Sequence, residues 1–205
     1  MPTCAKNHRY PDIEAGKRNY GCPKCAQTIR IETAGIPKRY KNATIDRNRS
    51  EDKLLRNYNF DHDLLLTGGV GTGKTHAACA LALFLVQRKK SVRYFTLSNI
   101  IDFYREGWAR DSETVRLEQL VEPNLLIIDE LTHMAATDDK QRILFEIING
   151  RNADLKPTLI ITNLTASATE LVLGERIFDR LREPKSVGGP HGQAIAFTGS
   201  SMRVK

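Results

Sequence analysis

The sequence has no long hydrophobic run, since the longest one, from Ala77 to Val86, is too short to cross a lipid bilayer. It begins MPTCAKNHRY, without the apolar stretch of a secretory signal. It has no internal repeat and no low-complexity tract. We therefore expect a cytoplasmic protein without membrane contact, whose cysteines stay reduced and bind metal more readily than they pair.

The charge is unevenly distributed along the 205 residues, whose hydrophobic content of 40% suits one ordinary domain with a small appendage. Residues 1–60 hold 13 Lys/Arg and 6 Asp/Glu, so they carry the whole net charge of +7. Such a segment suits a polyanion or an acidic protein surface. A basic tail that is merely soluble explains the charge equally well.

The most informative stretch runs from Leu64 to Ala82, LLLTGGVGTGKTHAACALA. Three apolar residues predict a buried strand, a glycine-rich turn follows, and a run of helix formers begins at Lys74. This is the phosphate-binding pattern G-x-x-x-x-G-K-T between a strand and a helix. Glycine permits the backbone angles that wrap N–H groups around a polyphosphate, and the helix N-terminus adds positive charge.

Within this loop we expect Lys74 to contact the β- and γ-phosphates and the Thr75 hydroxyl to bind Mg²⁺. The alternative, a glycine-rich turn with an accidental lysine, leaves the match of the whole pattern unexplained. The residues predicted to bind the nucleotide are Gly68, Gly69, Val70, Gly71, Thr72, Gly73, Lys74, Thr75, His76 and Asp129.

A second motif, LLIIDE, places two acids after four apolar residues, at the end of a predicted buried strand. We expect Asp129 to hold the Mg²⁺ that Thr75 also binds, and Glu130 to polarise the attacking water. The pair favours ATP hydrolysis over nucleotide storage. A further strand, TLIIT, ends at Asn163, whose amide can orient the same water; alternatively, Asn163 is a turn residue that caps the next helix.

The N-terminal region contains a C-x-x-C pair, Cys22 and Cys25, whose spacing lets two thiolates bind one tetrahedral ion. Cys4 and His8 complete a predicted zinc site, because so short a segment needs a metal to fold. A redox-active dithiol is the competing interpretation. Cys79, among alanines and leucines, is predicted to be a core residue.

Two other regions leave a nucleic-acid role open. A polar segment before the strand contains basic residues that either contact nucleic acid or are solvated: Arg47, Arg49, Lys53 and Arg56. A helix capped by Ser98 or Asn99 is predicted to run to Trp108. Tyr104 and Trp108, with Arg105, suit base stacking or core packing, and Phe103 suits the core.

Together these motifs resemble the AAA+ ATPases of the DnaC/IstB type, which load replicative helicases or assist transposases. The resemblance covers nearly the whole chain and rests on AGIPKRY, GGVGTGKTHAA, KSVRYFT, LLIIDEL, PTLIITNL and LGERIFDRLRE. It implies that Asn163 is the sensor-1 residue, Arg180 an arginine finger that reaches a neighbouring subunit, and Arg203 the sensor-2 arginine. It therefore also implies a homo-oligomer.

The resemblance predicts an α/β fold, with a five-stranded parallel sheet, helices on both faces and little or no lid. We expect a zinc ribbon at residues 1–32, a basic linker at 33–58 and the ATPase domain at 59–205. Between Thr44 and Leu64 the chain is shorter than is usual in this family, which affects the adenine side of the pocket.

The expected function is ATP-dependent loading of a hexameric DnaB-type replicative helicase onto single-stranded DNA, with ATP, Mg²⁺ and Zn²⁺ as cofactors. One rival is a transposase-helper ATPase of the same fold. Another is a zinc-module adaptor with a vestigial ATPase, against which the intact Lys74, Thr75, Asp129 and Glu130 argue. A small-molecule kinase is more distant, since Glu130 and Arg180 have no obvious use there.

Overall fold

The computed structural model describes residues 23–46, 49–106, 113–131, 138–186 and 188–199. Their five strands are β1 (Leu64–Gly68), β2 (Val92–Thr96), β3 (Leu125–Leu131), β4 (Thr158–Thr162) and β5 (Gln193–Phe197). Their helices are α1 (Pro23–Thr33), α2 (Ser50–Arg56), α3 (Lys74–Gln87), α4 (Leu97–Arg105), α5 (Glu113–Val121), α6 (Asp138–Ala153), α7 (Ala166–Leu173) and α8 (Glu175–Arg182), with a short 3₁₀ helix at Lys38–Tyr40.

The strands form one parallel sheet in the order β2-β3-β4-β1-β5. Successive residues of a strand face opposite sides of the sheet, so Leu125 and Ile127 enter one core cluster while Leu126 and Ile128 enter the other. The first cluster lies under α1, α2 and α3, and the second under α4 to α8. The predicted α/β fold, with five parallel strands between helices, is confirmed.

Helix α3 runs from Lys74 to Gln87, as predicted, and is buried over most of its circumference. It lies between the sheet and the N-terminal elements, which is why its sequence is apolar on all sides rather than in one stripe. Cys79 is fully buried in it, as predicted, and burial raises the pKa of its thiol to about 12.

The described parts of residues 33–58, predicted to be a basic linker, pack against the core. Ala34, Ile36 and Leu55 are buried in the first core cluster, and α2 packs against α3. The Asp46 N–H also donates to Oδ2 of Asp52 at 2.7 Å, which fixes the approach to α2. These described parts of the segment therefore pack onto the same core as α3, while the domain boundaries stay a prediction.

The last residues of the predicted zinc module, from Pro23 onward, form α1. Proline at the first position of a helix is favourable, because its missing N–H would have no partner there. Cys25 lies on this helix, whereas Cys4, His8 and Cys22 lie outside the described residues. The zinc ribbon remains a prediction for residues 1–22, as does the minimal lid.

Helix α4 begins earlier than predicted. Its cap is Thr96, whose hydroxyl accepts the Asn99 N–H at 3.3 Å, rather than Ser98 or Asn99. Tyr104 is 1% exposed and donates to the carboxylates of Glu113 and Glu146, so it is not available for base stacking. Trp108 lies outside the described residues. None of the helices that the structure describes is long and apolar enough to cross a membrane.

Candidate nucleotide-binding site

A cleft of about 560 Å³ opens at the carboxyl ends of β1, β3 and β4, where parallel α/β sheets bind their ligands. Both sequence motifs reach it, and so does the short 3₁₀ helix. Its lining residues are Arg39, Tyr40, Val70, Gly71, Thr72, Gly73, Lys74, Thr75, His76, Ser98, Asp129, Glu130, Ile161, Thr162 and Asn163.

The loop between β1 and α3 depends on glycine at several points. Gly68, Gly71 and Gly73 have φ angles of +132°, +82° and +92°, a region that other residues seldom adopt. A Cβ at Gly68 would also lie 2.2 Å from the carbonyl oxygen of Phe197 on β5. Because Gly73 is the left-handed cap, α3 starts directly at Lys74 and presents its N-terminus beside the cleft.

Lys74 connects the loop to the next strand. Its ammonium donates to the carbonyls of Gly68 and Gly69, at 2.6 and 2.7 Å, and to Oδ1 of Asn163 at 2.9 Å. The residue is 6% exposed, and this burial lowers the pKa of Lys74 while nearby Asp129 opposes the shift. A cation is thus held where a phosphate would enter.

Two side chains from different elements converge on Asp129. Its Oδ2 accepts hydrogen bonds from the Thr75 hydroxyl at 2.8 Å and from the Tyr94 hydroxyl at 2.7 Å. Burial and the neighbouring Asp129 raise the pKa of Tyr94. The adjacent oxygens of Thr75 and Asp129 fit Mg²⁺, which takes oxygen ligands and usually binds through a few protein groups plus phosphate and water.

Glu130 is exposed at the mouth of the cleft. It has a φ of +60°, and the pairing of β3 with β4 shifts register between Ile128 and Leu131. Such a bulge places two residues opposite one and redirects their side chains. Asp129 and Glu130, adjacent in sequence, therefore both line the cleft instead of alternating across the sheet.

Several residues at the site were not predicted. Tyr94 contacts Asp129, and Arg49 donates to the carbonyl of Thr72 at 2.7 Å with its guanidinium 5.3 Å from the Phe197 ring centre. Tyr40 packs edge-on to His76. The sequence signals for these residues are the AGIPKRY segment, which contains Tyr40, and the KSVRYFT segment, which contains Tyr94. The role of Arg49 depends on long-range contacts.

The remaining predicted residues lie elsewhere. Arg180, on α8, does not line the cleft and pairs with Glu183 at 2.6 Å. Arg203 lies outside the described residues. Within the described ranges, no group of three or more His, Cys, Asp or Glu side chains could hold a metal ion. The zinc prediction also needs Cys4, His8 and Cys22, which lie outside those ranges, beside the described Cys25.

The fold and the cleft together define a P-loop nucleotide-binding protein of the parallel α/β class. The family model described as IstB-like ATP binding protein matches residues 45–205, and the chain belongs to that family. The DnaC/IstB resemblance drawn from the sequence motifs is thereby confirmed.

The replicative helicase loader DnaC of Escherichia coli (strain K12) is 32% identical over 120 residues, which are 58% of this chain and 49% of DnaC. The chain thus spans about half the length of this curated relative. A crystal structure of the DnaC helicase loader superposes with a TM-score of 0.65 at 21% identity, covering 78% of this chain and 99% of that one. A crystal structure of DnaI has a TM-score of 0.64 at 20% identity, covering 85% and 100%. These two structures share the fold.

Proposed function

We propose that this protein is an ATPase that loads a DnaB-type replicative helicase onto single-stranded DNA. The observation that supports it best is the contact of Lys74 with both the phosphate loop and Asn163, in a chain related to a replicative helicase loader. The contact joins the parts of the site that bind ATP and that sense its terminal phosphate.

In the proposed reaction, Lys74 and the N-terminus of α3 bind the phosphates, while Thr75 and Asp129 hold Mg²⁺. When bound, the ion neutralises charge on the transferred phosphoryl group. Glu130 orients and polarises the attacking water from the mouth of the cleft. Asn163, whose amide already lies against Lys74, orients that water or the terminal phosphate.

Hydrolysis is proposed to need a second copy of the chain. Arg180 is partly exposed and forms a surface ion pair with Glu183, which is weak enough for the side chain to turn toward a neighbouring subunit's nucleotide. An arginine supplied in this way is worth about 10³–10⁵ in rate. Arg203 is proposed to act as a sensor-2 residue in the same assembly.

The N-terminal region is proposed to dock the helicase. Its predicted zinc ligands are Cys4, His8, Cys22 and Cys25, of which Cys25 lies on the helix that packs against α3. Helix α1 packs on the same side of the sheet as the described parts of the basic segment at 33–58.

A pull-down of a purified DnaB-type helicase, with ATP and with ADP, tests the loading role. We expect nucleotide-dependent capture by the wild type and its loss in the Lys74→Ala variant. Single-stranded DNA binding should weaken steeply between low and moderate salt, because phosphate contacts release counterions. Equal capture in both nucleotides together with salt-independent DNA binding contradicts the proposal.

The family model's description as IstB-like favours a second candidate, a transposase-helper ATPase. The same pull-down separates the two, with a transposase as the second bait. Capture of the transposase and not of the helicase replaces the loading role with this one, while the nucleotide chemistry stays the same.

A further inference from the structure

Asp129 is held by one donor from each of three different elements. Its Oδ2 accepts from Thr75 at the start of α3 and from Tyr94 on β2, at 2.8 and 2.7 Å, and its Oδ1 accepts the Glu130 N–H at 2.7 Å. The Thr75 hydroxyl is itself a proposed ligand of the ion. Of these three donors, only the Tyr94 hydroxyl lies outside both the phosphate-loop motif and the LLIIDE motif.

Tyr94 is fixed independently of the nucleotide loop. Tyr94 is 8% exposed, and it lies opposite Ile127 in the register of β2 with β3. Its N–H donates to the carbonyl of Ala34 at 2.7 Å, just before the left-handed Gly35, where a Cβ would lie 2.8 Å from the Tyr94 carbonyl oxygen. With its backbone held on both sides, the phenol is a rigid reference point for the carboxylate.

We propose that Tyr94 is the positioning residue for the magnesium site: its hydroxyl sets the orientation in which Asp129 meets the ion shared with Thr75. The inference rests on the proposed ATPase function and adds a residue that does not itself line the cleft. Partners that orient a metal ligand from behind it typically change metal affinity 10–100-fold when they are lost.

The test is a Mg²⁺ titration of Tyr94→Phe, which removes only the hydroxyl. A fluorescent ATP analogue reports nucleotide binding across the titration and, separately, in EDTA. We expect the Mg²⁺ concentration at half-maximal effect to rise about 10-fold, while the affinity in EDTA stays within about twofold of the wild type. Tyr104→Phe is the matched control, because its hydroxyl, like that of Tyr94, donates to a carboxylate, sharing its proton between Glu113 and Glu146 in the other core cluster.

Thermal melting shows whether Tyr94→Phe is folded, and Tyr94→Met, which also lacks the hydroxyl, should give the same Mg²⁺ shift. An unchanged Mg²⁺ dependence in a folded variant overturns the inference. So does an equal loss of affinity with and without Mg²⁺, which would mean that Tyr94 merely supports the pocket. Failure of the wild type to bind the analogue with Mg²⁺ removes the proposed function, and with it this inference, before any variant is compared.

Discussion

The ammonium of Lys74 donates to the amide oxygen of Asn163 at 2.9 Å and so joins the phosphate loop to the end of β4. The two residues lie 89 positions apart in sequence. They meet because β1 and β4 are adjacent parallel strands whose carboxyl ends share one edge of the sheet. We expect phosphate oxygens of a bound nucleotide to replace the loop carbonyls around Lys74, which would leave the amide of Asn163 beside the terminal phosphate.

We predict different defects for Lys74→Met and Asn163→Ala. The first removes the cation that neutralises the phosphates, so nucleotide binding should be lost. The second should leave binding within about threefold of the wild type and lower the hydrolysis rate about 10²-fold, because it removes a polar group that acts on the reacting centre. Equilibrium binding and steady-state ATPase measurements separate the two effects. An Asn163→Ala variant that binds as poorly as Lys74→Met contradicts the assigned roles.

Two substitutions at Glu130 should separate the backbone strain at this position from the role of its carboxylate in hydrolysis. Its φ of +60° costs about 1 kcal/mol for a residue with a β-carbon. Glu130→Gly should therefore raise the unfolding free energy by about 1 kcal/mol, whereas Glu130→Gln should leave it unchanged. Both should lower hydrolysis about 10³-fold while they retain ATP binding.

Urea unfolding gives the first comparison and ATPase rates give the second. A stabilised Glu130→Gly variant without activity would show that the bulge is maintained for catalysis at the expense of stability. If Glu130→Gln hydrolyses ATP at the wild-type rate, another group activates the water.

The parts of the fold that follow local rules were predictable from sequence. Helix α3 and strand β4 have the predicted ends, because a left-handed Gly73 and a Pro157 next to an apolar run determine their boundaries locally. The positions of Lys74, Thr75 and Asp129 were also predictable from the sequence. A phosphate loop and the acid that ends a buried strand lie at the same edge of a parallel sheet, so these side chains meet.

Contacts between distant residues were not predictable in the same way. Tyr104 was a candidate for base stacking because the local sequence does not show where its hydroxyl binds. Its acceptor, Glu146, lies on another helix 42 residues later. Arg49 was predicted either to contact nucleic acid or to be solvated, because its partner Thr72 lies 23 residues later. Helix α1 did have a local signal, Pro23 at its first position, which the zinc interpretation of Cys22 and Cys25 obscured.

A buried ion pair at the opposite edge of the sheet should make stability depend on pH. Asp63 and Lys185 are 3% and 4% exposed. The ammonium of Lys185 lies 2.6 Å from Oδ2 of Asp63, but the two groups are not aligned as a hydrogen bond. Burial raises the pKa of Asp63 to about 6, although Lys185, the Thr158 N–H and Arg151 oppose the shift.

Because the pKa of Asp63 in the folded state is above its unfolded value, the fold favours the protonated acid. This contribution to stability is complete below about pH 4 and is lost as pH rises through about 6. The reference is a double variant, Asp63→Asn with Lys185→Met, since Asp63→Asn alone leaves a buried ammonium unpaired. We predict that the wild type loses stability relative to this variant between about pH 4.5 and pH 7.5. A constant difference in unfolding free energy across that range contradicts the raised pKa.

Arg151 should be among the most costly side chains to replace outside the cleft. It is fully buried on α6 and donates to the carbonyls of Leu120, Val121 and Pro123, each at 3.0 Å. It also donates to the Pro157 carbonyl and the Thr158 hydroxyl, and burial lowers the pKa of Arg151 to about 10. The guanidinium thus satisfies carbonyls at the end of α5 and at the start of β4 that water cannot reach.

Arg151→Met should lower the unfolding free energy by about 4 kcal/mol, because it leaves these acceptors buried without donors. Arg151→Lys should recover only part of the loss, since one ammonium lacks the planar fork that reaches all of them. Arg142→Met is the control on the same helix: its surface ion pairs with Asp139 and Glu146 should be worth less than about 1 kcal/mol. Urea unfolding of the three variants measures these differences. Equal losses of unfolding free energy at positions 151 and 142 would mean that the buried carbonyls find other donors. The connections that enter β3 and β4 would then not depend on Arg151. These are the strands whose far ends carry Asp129 and Asn163.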